Sequence, residues 1–192
     1  MKPAESMYIV FTNQVNDATG KGYESNFPEA EKILTVDGEW NVQFENKDIG
    51  PAGTLNWKSL KDWTTFEDQM IKYYSGTVLY QTKFEMGELP QNSDFLIDLG
   101  NVGVMASVKL NGENLGGVWI APYTLSTKDL LKEGENELEI EVVNTWRNKL
   151  VQEDSLPMGK RYTWTVVEDV EADEELMPSG LMGPVTINMI SK

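Results

Sequence analysis

The chain has 192 residues, 40% of them apolar and 10% aromatic, which is enough for one real core and too aromatic for an acidic disordered tail. Its 31 Asp and Glu against 16 Lys and Arg give a formal charge of -15, and no basic cluster breaks that balance, so neither nucleic acid nor an anionic membrane is expected as a partner. It contains no Cys and no His, which removes disulfides, thiolate and imidazole metal sites and every His-dependent nucleophilic mechanism.

Taken in order, most segments alternate with the period of two that marks strands. Met7–Thr12 reads as a first strand. The stretch from Asn13 to Lys32 shows no periodicity, so residues 1–32 are expected to be a lead-in, left over from a preceding unit, and residues 33–192 the domain proper. Ile33–Val36 and Glu39–Glu45 flank an Asp37-Gly38 turn. Ile49 to Gly76 reads as loop with one helical turn near Phe66–Met70. Thr77–Met86, Phe95–Leu99 and Val104–Leu110 are strands, the last turning at Asn111-Gly112, where both positions tolerate positive φ. Leu115–Ile120 returns, Ala121-Pro122 breaks the chain and Tyr123–Ser126 resumes it. Thr127–Leu131 reads as one helical turn. Glu137–Val143 alternates Leu138, Ile140 and Val142 against three glutamates, as a half-buried antiparallel strand does. Arg161–Val166 and Val185–Ile190 close the series. Many short strands and no ten-residue helix predict an all-β antiparallel sandwich.

Between the closing strands, six of the eight residues Glu168–Glu175 are acidic. The run reads as a solvated loop. A calcium site is the sharper alternative, because hard cations take several oxygen ligands, and no cofactor is required. Of the many carboxylates, Asp98 at a strand end and Glu39 beside Trp40 are the least poor catalytic candidates, and neither sits in a context that singles it out. Aromatics are more informative, because sugar rings stack on Trp and Tyr faces. Trp57, Trp63, Tyr73, Tyr74, Trp119, Tyr123, Trp146 and Trp164 fall outside an obvious inward register. The segment Trp146-Arg147-Asn148-Lys149, placed on a loop just after the strongest strand, combines a stacking face with hydrogen-bond donors.

From Tyr80 to Asn144 a series of motifs comes in order: Tyr80 and Phe84 on one strand, Phe95–Gly100, Leu110-Asn111-Gly112-Glu113-Asn114-Leu115-Gly116, Pro122-Tyr123, and Leu130-Leu131-Lys132-Glu133-Gly134-Glu135-Asn136. This series resembles the sugar-binding β-sandwich that accompanies the catalytic barrel in glycoside hydrolase family 2. More of the chain is similar to a narrower group, the C-terminal domain of the α-L-rhamnosidases of glycoside hydrolase family 106. That likeness rests on Tyr73–Gly76, Trp119–Pro122, Trp146–Leu150 and Leu176–Val185. Two departures stand in it: Lys149 replaces an Arg, whose planar fork Lys lacks, and Gln152-Glu153 replaces a Gly-Asp.

The resemblance implies a galactose-binding-like jelly roll without catalytic residues of its own, braced against the catalytic barrel of the same parent chain. It also implies a bacterial parent exported to the periplasm or cell surface, although Met1–Glu5 opens no signal peptide. A carbohydrate ligand is a further expected partner, with Trp119, Tyr123, Trp146, Arg147, Asn148 and Trp164 as the contact residues. An autonomous carbohydrate-binding module and a stand-alone glycosidase are the alternatives.

Overall fold

A computed structural model describes residues 29–163, 165–166 and 170–191. The first expected strand, Met7–Thr12, lies outside those residues, as does Trp164. The strands are β1 (Glu31–Thr35), β2 (Trp40–Phe44), β3 (Thr54–Trp57), β4 (Thr77–Met86), β5 (Ser93–Asp98), β6 (Asn101–Gly103), β7 (Met105–Leu110), β8 (Glu113–Val118), β9 (Thr124–Ser126), β10 (Gly134–Val143), β11 (Gly180–Gly183) and β12 (Thr186–Ser191). Two short helices, α1 (Gln69–Lys72) and α2 (Arg147–Asp154), complete the set with two 3-10 turns.

The strands form a six-stranded sheet ordered β3-β2-β4-β10-β7-β8 and a four-stranded sheet ordered β1-β12-β5-β9, with a small β11-β6 ladder between their connections. The pairings are antiparallel throughout these ladders. The expected all-β sandwich is what forms. Its reason is the period-two pattern: in β4, Val78, Tyr80, Thr82 and Phe84 point inward, and their partners Leu138, Ile140 and Val142 in β10 do the same. Ile97 and Ile187 of the smaller sheet, with Leu99 and Val185 flanking its strands, join them in one core cluster, and nearly all are fully buried. Each such side chain contributes about 1.5–3 kcal/mol by leaving water.

Polar side chains pin the turns. Asn111 and Gly112 both have positive φ, at 52° and 85°, as the two-residue turn requires. The Asn111 side-chain amide donates to Asn136 Oδ1 at 2.9 Å and to the Leu130 carbonyl at 2.8 Å. Asn136, fully buried, donates in turn to the carbonyls of Lys132 and Gly134. The two most specific motifs of the sequence therefore meet as one turn lock.

Three expectations need correction. Thr127–Leu131 is no helical turn: Lys128 and Asp129 both take left-handed φ, and Leu130 N–H donates to the Thr127 carbonyl at 2.9 Å, which closes a mirror-image β-turn. The described part of Arg161–Val166 is not a strand. There the Arg161 guanidinium donates to the carbonyls of Leu156 and Asp154, which ties the segment to the end of α2 and away from any sheet edge. Trp146–Lys149 is not a loop but the opening of the eight-residue helix α2. In addition, β1 already begins at Glu31, and Ile49–Gly76 holds β3, a 3-10 turn and α1, each short helix capped by the carboxylate of Asp62 or Asp68.

Candidate functional site

Two exposed tryptophans gather where the strands of the larger sheet run out. The pairings Val143↔Met105 and Ala106↔Val118 put the ends of β10 and β8 at the same end of that sheet, separated by β7. Trp119 leaves β8 there and Trp146 follows β10, so the two most exposed tryptophans among the described residues depart from one end. Trp119 is 73% exposed and Ile120 58%. With Gly117, Val118, Ala121 and Pro122 they line a shallow hollow of about 210 Å³. The chain then crosses to the smaller sheet through a cis Ala121–Pro122 bond. Tyr123 packs against the core, and its carbonyl accepts from Leu99 N–H at 2.9 Å.

Trp146 is 45% exposed and lies nearly parallel to Tyr162, with centroids 6.4 Å apart and planes at 11°. Arg147 pairs with Glu174. Asn148 does something other than face a ligand. It is 1% exposed, its Nδ2 donates to the Met177 carbonyl at 2.7 Å and to Ser179 Oγ at 3.1 Å, and its Oδ1 accepts from Met177 N–H at 2.8 Å. As a carbohydrate contact Asn148 is therefore corrected: every polar atom of its side chain is spent inside the fold. Asn148→Ala should leave the fold in place and lower stability by about 2 kcal/mol, read from urea unfolding, because it strands buried groups of Met177 and Ser179.

Ser179 joins this side chain to another. Asn144 Nδ2 donates to Ser179 Oγ at 3.2 Å and to the Tyr74 carbonyl at 2.9 Å, while its Oδ1 accepts from Gly76 N–H at 2.9 Å. The segments Tyr73–Gly76, Trp146–Leu150 and Leu176–Val185, far apart in sequence, thus converge as a buried clamp. The two departures meet as well. Lys149 Nζ donates to Gln152 Oε1 at 2.8 Å and pairs with Glu153 at 2.9 Å, and both charges are nearly buried. Glu153 also accepts from Tyr162 N–H at 2.6 Å. A Lys at position 149 suits a Gln and a Glu one helical turn on.

The remaining aromatics divide. Trp57, Trp63 and Tyr74 are core, Trp63 and Tyr74 lying edge to face at 5.6 Å. Asp98 ends β5 of the smaller sheet while Glu39 precedes β2 of the larger one, and the Asp98 carboxylate accepts from Gly100 N–H at 2.9 Å. In the acidic run, Glu174 is engaged by Arg147 and by Glu171 N–H, while residues 167–169 lie outside the described set. Among the described residues no three carboxylates converge as a ligand set, and no helix is long and apolar enough to cross a membrane. What the sequence reading missed is α2 with its buried ion pair. The spacing of Lys149 and Glu153 was the available signal.

Residues 54–177 match the family described as glycosyl hydrolase 2 galactose-binding domain-like. A Formosa agariphila protein provisionally named a beta-glucuronidase is 30% identical over 204 aligned positions, covering 93% of this chain and 18% of that protein. The rhamnosidase of Novosphingobium sp. PP1Y shares the fold at a TM-score of 0.78 and 33% identity, over 87% of this chain and 16% of that one. A beta-glucuronidase from an uncultured Clostridium sp. shares the fold alone, at a TM-score of 0.60 and 22% identity, over 88% of this chain and 31% of that one. The chain spans under a fifth of the length of the first two. The chain belongs to the glycosyl hydrolase 2 galactose-binding domain-like family.

Proposed function

We propose that this chain is a non-catalytic accessory sandwich of a glycoside hydrolase, of the α-L-rhamnosidase kind of family 106, and that it braces the catalytic barrel. The observation that carries the reading is the family match together with the small share of its relatives that the chain spans, which leaves most of such a protein to other domains.

The exposed Trp119 and Ile120, with Met105 beside the same sheet end, are the face we assign to the barrel. Two consecutive large apolar residues at such exposure are uncommon on a free monomer surface and usual at an interface. The half-exposed Trp146 and Tyr162 pair favours a second reading, in which aromatic faces at this end bind carbohydrate directly. Calorimetric titration of the chain with rhamnose, galactose and glucuronic acid, before and after Trp119→Ala and Trp146→Ala, separates the two. The bracing reading predicts that neither substitution changes any heat of binding. Saturable binding that disappears in either variant, with the fold intact, would establish the second reading in its place.

A further inference from the structure

Asn111-Gly112 is the one Asn-Gly step in the sequence. A glycine after an asparagine carries no Cβ to shield its backbone nitrogen. That nitrogen can attack the Cγ of the asparagine side chain, losing its proton as the C–N bond forms and ammonia leaves. A cyclic imide results, and water opens it to Asp or isoaspartate. Room for the reaction is present at this turn. Asn111 is half-buried, Gly112 is exposed, and a Cβ at Gly112 would meet nothing within 4 Å.

Hydrogen bonds oppose it instead. Asn111 Oδ1 accepts from Glu137 N–H at 3.0 Å, while the Asn111 backbone N–H donates to the Glu137 carbonyl at 2.8 Å. Its Nδ2 donates to the Leu130 carbonyl at 2.8 Å and to Asn136 Oδ1 at 2.9 Å. Ammonia cannot leave without giving up both bonds of Nδ2.

The product does not fit the same network. Asp at 111 sets a carboxylate oxygen, an acceptor only, against two further acceptors, the Leu130 carbonyl and Asn136 Oδ1. Turning the Asn136 amide supplies no donor. Its Nδ2 is committed to the carbonyls of Lys132 and Gly134, and its Oδ1 accepts from Lys132 N–H at 3.1 Å. Isoaspartate is worse placed, because it adds a carbon to the backbone of a two-residue turn whose length sets the strand register.

We infer that Asn111 is a latent deamidation site and a one-way latch. The native network suppresses loss of the amide, and the amide once lost prevents the network from re-forming. The turn fastens β8, the edge strand of the larger sheet, which leads into Trp119, so the modification loosens that edge.

The test is peptide mass mapping of the chain kept in mildly alkaline buffer, folded and in urea. Conversion at Asn111 should be at least about tenfold slower in the folded chain, since several hydrogen bonds must break first. Asn111→Asp, which makes the product directly, should melt at least about 5 °C below the unsubstituted chain. A folded-to-urea rate ratio below tenfold would overturn the protection, and a melting midpoint of Asn111→Asp equal to that of the unsubstituted chain would overturn the latch. If Asn111→Asp does not fold, chain deamidated in urea and returned to buffer decides the latch: recovery of the full melting midpoint overturns it, and a lowered one upholds it.

Discussion

Gly180→Ala is expected to lower the melting midpoint by about 10 °C or more, or to prevent folding outright. Gly180 sits at φ 93°, where an L side chain is strained, and a Cβ there would overlap the indole nitrogen of Trp63 and reach its Cδ1 at 2.6 Å. The indole cannot retreat. It is fully buried, tilted against Phe44 at 5.8 Å and edge to face on Tyr74 at 5.6 Å, while the Trp63 backbone N–H donates to the Ser179 carbonyl at 3.0 Å. Backbone strain of about 1–3 kcal/mol and overpacking of similar size add at this one position. Gly53, also at positive φ but with open space around its Cβ position, is the control: the same substitution there carries strain without overlap and should cost less than half as much. Differential scanning calorimetry of both variants gives the comparison.

Tyr80→Phe should cost about 3 kcal/mol in urea unfolding although it removes a single oxygen. The Tyr80 hydroxyl, fully buried, accepts from Trp63 Nε1–H at 2.6 Å and from Leu181 N–H at 3.2 Å, so its loss strands two buried donors at once. The same group sets an alkaline limit. Burial drives the Tyr80 phenol far above the ordinary tyrosine value of 10.0, against the hydrogen bonds from Leu181 and Trp63, which pull it back. The native state therefore keeps a proton that the unfolded chain releases. That contribution is complete below about pH 10 and is lost as pH rises beyond it. Tyr74 is raised as well, by burial first. Stability measured from pH 8 to 11 should fall above pH 10, and the fall should be shallower in Tyr80→Phe, with the share of Tyr74 remaining.

The sheet was legible because burial and period coincide: Leu138, Ile140 and Val142 face Thr82, Tyr80 and Val78 across one ladder, and alternation alone reveals that. The Asn111-Gly112 turn was legible because its backbone conformation demands those residues. The helix α2 was not, since its buried positions include Asn148, Lys149 and Glu153. Their polarity imitates a surface loop until the partners Met177, Ser179 and Tyr162 are in place. The 161–166 segment failed for a similar reason, because its apolar and aromatic residues suggest a strand while Arg161 anchors it to the end of α2. Of the carbohydrate-contact residues expected from sequence, Trp119 and Trp146 are exposed and depart from one end, Tyr123 packs against the core, Arg147 is engaged by Glu174, and Asn148 is interior.

The claim that the chain serves a catalytic domain and does no hydrolysis itself is tested most directly by incubating the purified chain with p-nitrophenyl α-L-rhamnoside and p-nitrophenyl β-D-glucuronide. The account predicts release of p-nitrophenol at the rate of buffer alone. Sustained turnover that vanishes on replacing a single Asp or Glu would contradict it.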